Sequence, residues 1–487
     1  MTGPSTQLLI DGALAAGGAG VFLTINPATE EPLGVAADAD AADLDRAIAA
    51  ARSAFDSSDW CRDTALRVHC LGQLRDALND EIETLREITI AEAGAPRSLT
   101  FRGQLQTPVD DLEFPAATAE RYPWRVDLGV AAPMGISTAR TMVREPFGVV
   151  GAITPWNFPH QVTFAKLGPA LAAGNTVVLK PAPDTPWCAA EVGRIIAEKT
   201  DFPPGVVNIV TASDHRIGAR LAEDPRVDVV SFTGSTATGR SVMTAAAQTI
   251  KKVFLELGGK SAFVVLDDAD LTAACTAAAS TVAMHAGQGC ALTTRLLVPR
   301  ECYGEALDAV SAAMSRVPVG DPSDPKTLCG PLISGKQRDR VQSYLDLAIA
   351  DGGMFACGGG RPAGLERGFY LEPTVIAGLT NDARVAREEI FGPVLVVLAH
   401  DGDADALRIA NDSPYGLSAT VFGTEDRAAL VASRLRAGTV NVNGGTWYCA
   451  DVPFGGYKQS GIGREMGLAG FEEYLETKVI ATAVRGS

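Results

Sequence analysis

The sequence predicts an α/β protein whose parallel sheets fall into two domains, and three observations carry that prediction. From Phe147 onward, short β-branched runs alternate with alanine-rich segments of helical length, the rhythm of strand and helix taking turns around a parallel sheet. The runs are apolar throughout rather than alternating, which is what strands covered by helices on both faces require. The alternation also happens twice, before and after KKVFLELGG (251–259). A chain of 487 residues exceeds one compact core and fits two or three domains of about 100 to 200 residues each.

In chain order, VVGAIT (149–154) reads as a strand and AKLGPALAA (165–173) as a helix stopped by Gly174 and Asn175, since glycine ends helices cheaply. TVVLK (176–180) is the next strand. TPWCAAEVGRIIAEK is a helix, GVVNIVT a strand, IGARLAED a helix and VDVVSFTG a strand, followed by a helix from Ser235 to about Gln248. In the second half the expected strands are AFVVL (262–266), LLV (296–298), TVI (374–376) and VLVVL (394–398), with helices around 302–315 and 336–350. GDPSDP (320–325) and CGGGRPAG (357–364) read as surface loops. Leu271 to Thr294 carries no Asp, Glu, Lys or Arg, but its Ala, Ser, Thr and Gly content is too weakly apolar for a membrane span. It reads as a buried helix ending at the 287–289 turn.

Hydrophobic residues make up 46% and charged residues 21%, ordinary globular usage that excludes a largely disordered chain. The formal charge of −16 gives a surface that repels nucleic acid and anionic lipid. The start MTGPSTQLLIDGALAAGGAG shows no basic leader or sustained apolar run, so a cytoplasmic protein is expected. Nine cysteines, an odd number with no C-x-x-C pair, are expected as reduced thiols. Five histidines without H-E-x-x-H spacing give no support to a metal site.

Four stretches could carry chemistry. GQGCALTTR (287–295) surrounds Cys290 with small neighbours, as a small buried hydrophobe tolerates and as a nucleophile that must admit a substrate demands. FTGSTATG (232–239) sets glycines between a strand and a helix, where helix-terminal N–H groups can meet a phosphate or simply be capped by Ser or Thr. LELGGKSAF (255–263) puts Glu256 at an apolar strand end, where lost hydration raises a carboxyl toward general-base range unless it is solvated or paired. TPWNFPH (154–160) places Asn157 at the end of another strand, as an oxyanion donor or an Asx-turn.

Taken in order, WNFP, LKPAP, FTGS, ELGGK, GQGC, EEIFGP and PFGGYKQSGIGRE, within residues 144 to 465, resemble the aldehyde dehydrogenase superfamily. The resemblance implies a Rossmann-like cofactor domain (1–124 and 145–258), a second α/β catalytic domain (259–455) and a small β oligomerisation part (125–144 and 470–487). It also implies a homodimer or homotetramer, and YPWRVDLGVAAPMGISTARTMV alternates in places as a projecting hairpin would.

By the same resemblance Cys290 is the nucleophile, Asn157 with the Cys290 N–H the oxyanion hole, and Glu256 the base that activates water to release a thioester. Lys166 and Glu465 resemble a proton-relay pair, with a surface salt bridge as the plainer alternative. Cofactor contacts are implied for Ile153, Thr154, Pro155, Trp156, Lys180, Phe232, Gly234, Ser235, Leu257, Gly258, Glu389 and Phe391. Val162, Trp447 and Tyr448 fall near the aldehyde tunnel, hinting at an apolar or aromatic substrate; Trp447 and Tyr448 could equally be loop packing.

One position departs from the pattern. NAD-preferring relatives often have glutamate three residues after the lysine, where Pro183 stands here, followed by Asp184. NAD is the expected cofactor, with NADP possible. Two other outcomes stay open: a CoA-acylating semialdehyde dehydrogenase, whose relatives usually lack the base glutamate, and a non-catalytic binding or structural relative, which would have lost the thiol or the base.

Overall fold

The structure, a computed structural model, describes residues 5–484; the ends of the expected domain segments, 1–4 and 485–487, lie outside the described residues. Two large sheets form separate cores. In the eight-stranded sheet, Val149–Ile153 lies beside Thr176–Lys180 on one side and Val229–Thr233 on the other, all parallel. Val229–Thr233 continues in parallel to Lys252–Glu256, and the two-residue strand Gly461–Ile462 closes that edge antiparallel. The seven-stranded sheet is centred on Ser261–Val265, Thr293–Pro299 and Val394–His400. It adds Met354–Cys357, Ser418–Phe422 and Thr439–Val442, which periodicity alone does not reveal.

Helices cover both sheets; in the first, Thr176–Lys180 is buried throughout and Val149–Ile153 and Val229–Thr233 at every residue but the last, and in the second Ser261–Val265 is buried throughout. That burial explains why the sequence shows apolar runs there instead of alternation. The helix Pro159–Ala173 starts with proline at its first position and stops at Gly174 in a left-handed conformation, φ 98°, the asymmetry that proline and glycine favour. Helices Ala41–Ser57, Thr64–Asp80 and Ile82–Ala93 complete the first body from the amino-terminal third.

Two boundaries differ from expectation. The uncharged helix ends at Ala283, not at 287–289, and continues as a turn in which His285 and Ala286 take φ of 50° and 52°. Non-glycine residues rarely adopt that conformation, and it costs about 1 kcal/mol or more each; here it turns the chain sharply just before Cys290. The carboxy-terminal segment also joins the first core before it leaves it, because Phe471 and Tyr474 are buried with Leu71, Leu167 and Val150. The third sheet, Arg125–Ala131, Thr138–Pro146 and Leu475–Ala483, projects with most of its residues exposed.

Candidate active site

Three glycine-rich connections converge where the two bodies meet. Glu256 ends its strand, and the next two residues are the first of these connections. The Gly259 N–H donates to Glu389 Oε1 at 3.0 Å. A Cβ on Gly258 would lie 2.1 Å from Glu389 Oε2, so only glycine lets that carboxylate sit there. The cysteine loop meets the same segment, because a Cβ on Gly287, at φ +72°, would lie 2.0 Å from the Gly392 carbonyl. The carbonyl of Cys290 in turn faces Gly259. Residues 256–259, 287–290 and 389–392 therefore hold one another by backbone approach.

Asn157 is tied to the same place from the loop that follows Val149–Ile153. Its side-chain Nδ2 donates to the carbonyl of Gln288 at 2.7 Å, which leaves the second amide hydrogen uncommitted by that bond. Its own carbonyl accepts from Gln104 Nε2 at 2.9 Å and lies 2.9 Å from His285 Nε2. Gln288 is fully buried; its side chain donates to the carbonyls of His285 and Pro331 and accepts from the Ile333 N–H. The amide at 157 and the thiol at 290 are thus fixed relative to each other by Gln288 and His285. GQGC signals the first of these residues, but nothing local signals the second.

The electrostatics of the cleft are those of a dry, acidic pocket. Glu256 is buried and neither oxygen has a hydrogen-bond partner among the described residues. Burial, and then the charge of Glu465, push its carboxyl well above the usual range, against the pull of Lys166 and Arg464. Burial likewise raises the Cys290 thiol, and Glu256, Glu389 and Glu465 add to the rise. Glu389 is pushed up to about 7 by burial, opposed by the Gly259 N–H, Arg340 and Lys260. Lys166 and Glu465 form an ion pair at 2.6 Å, with Lys166 also donating to Ser231 Oγ at 2.9 Å. The surface alternative for this pair fails, since the side chains are 0% and 5% exposed.

A second region runs along the carboxyl ends of the first sheet. Lys180 is buried at its strand end and lowered to about 8 by burial, with Asp184, Asp214 and Asp38 pulling it back up. Gly218 faces Ile153 and Lys180 without crowding, leaving a shallow floor beside them; no feature of its sequence context marks it. Ser235 caps the helix Thr236–Ala246 by accepting from the Thr238 N–H, and Gly234 N–H donates to the Glu256 carbonyl. The capping alternative for this turn is therefore realised, and it leaves other N–H groups of the first helical turn free for an anion. Leu257 packs against Gly239, and Phe232 folds under Gly234. Trp156 meets Phe391 edge to face at 5.4 Å, with Phe391 at φ 63°; Thr154 is buried, and Pro155 and Pro183 are half-buried.

Among the residues expected near substrate, Tyr448 lines a cavity, Trp447 stacks on Phe454 at 4.5 Å, and Val162 is buried in its helix.

Comparison with known proteins places these residues in a larger context. The model of the "Aldehyde dehydrogenase family" matches residues 15–480. A 3-succinoylsemialdehyde-pyridine dehydrogenase from a Pseudomonas species is 43% identical, over 94% of each chain. The crystal structure of betaine aldehyde dehydrogenase from Staphylococcus aureus in complex with NAD+ superposes with TM-score 0.95 at 34% identity, covering 98% of this chain and 95% of that one. An aldehyde dehydrogenase C variant from Pseudomonas syringae, complexed with NAD+ and octanal, gives 0.93 at 39% identity, covering 98% and 96%.

Proposed function

Because this chain belongs to the aldehyde dehydrogenase family, we propose that it oxidises an aldehyde to the carboxylic acid with NAD, through Cys290 as nucleophile. The observation that carries the residue assignment is the meeting of Cys290, the Asn157 amide and the Glu256 carboxyl, which arrive on three separate segments. The cofactor region fits a dinucleotide: a free helix N-terminus at Ser235, a buried cation at Lys180 and the Glu389 carboxylate lie along the sheet ends. When bound, NAD supplies the hydride acceptor and a positive ring charge that favours a thiolate.

In this reading Cys290 gives its proton to Glu256 and its sulfur attacks the aldehyde carbon, while the Asn157 amide and the Cys290 N–H donate to the oxyanion. Loss of hydride from that carbon leaves a thioester on Cys290. Glu256 then takes a proton from water, which attacks the thioester and releases the acid. Lys166 and Glu465, buried beside Glu256, are its route for exchanging that proton. Glu256 favours water over CoA as the acyl acceptor. The Asp38, Asp184 and Asp214 carboxylates near Lys180 support NAD over NADP, since each disfavours a 2′-phosphate even with Pro183 in the usual glutamate position.

The body around the eight-stranded sheet is read as the cofactor domain and the seven-stranded body as the catalytic domain. The projecting sheet is read as the oligomerisation part of a homodimer or homotetramer. Its exposed Val130, Ile136 and Val479 and its two open strand edges support pairing with another subunit. Nine unpaired cysteines support the cytoplasm as its compartment. The test is NADH formation over a panel of aldehydes with NAD and NADP; no reduction of either cofactor overturns the reading.

A further inference from the structure

A second cavity lies beside the cysteine loop, at the amino ends of the strands Ser261–Val265 and Ser418–Phe422. Ser418, on its wall, donates through Oγ to the carbonyl of Ala291, the residue after Cys290. The rest of the wall comes from the carboxyl end of the helix Asp403–Asn411 and from residues 435–437. Its charge is one-sided. Lys260, Arg295 and Arg436 line it, with no aspartate or glutamate among the described lining residues.

The three cations are not equally free. Arg295 is committed to the protein: Nε donates to the Lys260 carbonyl, Nη1 to Asn381 Oδ1 and the Ile409 carbonyl, and Nη2 to the Ala410 carbonyl. Asp412, which follows lining residue Asn411, is engaged with Arg387 and Asn381. Arg436 is exposed and meets solvent. Lys260 differs from both, because it is 2% exposed and its Nζ has no hydrogen-bond partner among the described residues. Burial, and then Arg295, lower its amine to about 7, while Glu389 and Glu388 pull it back up. Those two carboxylates are held elsewhere, Glu389 by the Gly259 N–H and Glu388 by Arg384 and the Tyr344 hydroxyl. A buried ammonium without a partner is costly, and a bound anion removes that cost. The Ser261 hydroxyl accepts from the Ser418 N–H and keeps its own hydrogen to donate.

We propose that this cavity binds a small oxyanion, a carboxylate or inorganic phosphate, held by Lys260 Nζ and the Ser261 hydroxyl in the field of Arg295 and Arg436. The site is separate from the helix terminus at Ser235 and from the Asn157 amide, neither of which lines it. An anion there would lie close to the cysteine loop, which Ser418 joins to the cavity wall through the Ala291 carbonyl.

The experiment is calorimetry at pH 6, where the Lys260 amine is charged, with inorganic phosphate and, separately, acetate. Each is added to protein saturated with NAD, so that the helix terminus at Ser235 is already filled. Saturable binding of at least one anion in the millimolar range is expected, weakened at least tenfold in Lys260→Met. Binding of phosphate alone assigns the site to phosphate, binding of acetate alone assigns it to a carboxylate, and binding of both shows an oxyanion site that accepts either. No saturable binding of either anion, or binding unchanged in folded Lys260→Met, overturns the proposal. If Lys260→Met does not fold, native crystals soaked in whichever anion bound decide. Density for the anion within hydrogen-bond reach of Lys260 Nζ supports the site, and a cavity without it overturns the proposal.

Discussion

Replacing Lys166 by methionine removes the one cation among the described residues that pairs with Glu465 and leaves a buried carboxylate beside Glu256, whose own carboxyl burial pushes well above the usual range. The methionine matches the lysine stem in volume, so packing changes little and the effect is electrostatic. Breaking a buried pair by removing one partner costs about 3 to 5 kcal/mol. The expected destabilisation of Lys166→Met is therefore about 3 to 5 kcal/mol relative to the native chain.

Thermal unfolding reads this out. At about 2 to 4 °C per kcal/mol for a body of 150 to 250 residues, the loss is roughly 6 to 20 °C. The double change Lys166→Met with Glu465→Gln should recover more than half of it, because no charge is then left unpaired. A loss below about 2 °C, or no recovery in the double variant, would refute this account of the pair.

The remaining expectations concern the reaction. Cys290→Ala should bind NAD yet show neither a burst of NADH nor steady-state turnover, and retained turnover in stopped-flow and steady-state assays would move the nucleophile elsewhere. Glu256→Gln should give a burst followed by a steady-state rate lower by about 100-fold or more, in the range of general-base losses. The Glu256 carboxyl lies above its ordinary range, and its working base form is populated only as pH rises. The native deacylation rate should therefore increase as pH rises above the ordinary carboxylate range, and Glu256→Gln should flatten that profile. Gly258→Ala would put a Cβ 2.1 Å from Glu389 Oε2, so Glu389 must swing away from the Gly259 N–H; kcat with NAD should fall at least tenfold in an enzyme with an unchanged melting temperature.

Much of this protein was legible in the order of its residues. Val149–Ile153, Thr176–Lys180 and Val229–Thr233 read as buried parallel strands because every side chain along them except Lys180, at a strand end, is apolar or small, and burial on both faces demands that composition. Gly174 ended its helix for a reason local to glycine, and GQGC, ELGGK and EEIFGP stood out as motifs. The strands Ser418–Phe422 and Thr439–Val442 stayed hidden, since short mixed runs acquire strand character only when a neighbour supplies the ladder. Only the tertiary structure decided that Lys166 and Glu465, 299 positions apart, pair in a dry interior. It likewise decided that His285 turns left-handed to reach the Asn157 carbonyl. Periodicity records how a residue sits on its own strand or helix, whereas a charge's energy depends on which distant atoms exclude water from it, and the chain acquires those neighbours only when its two sheets close upon each other.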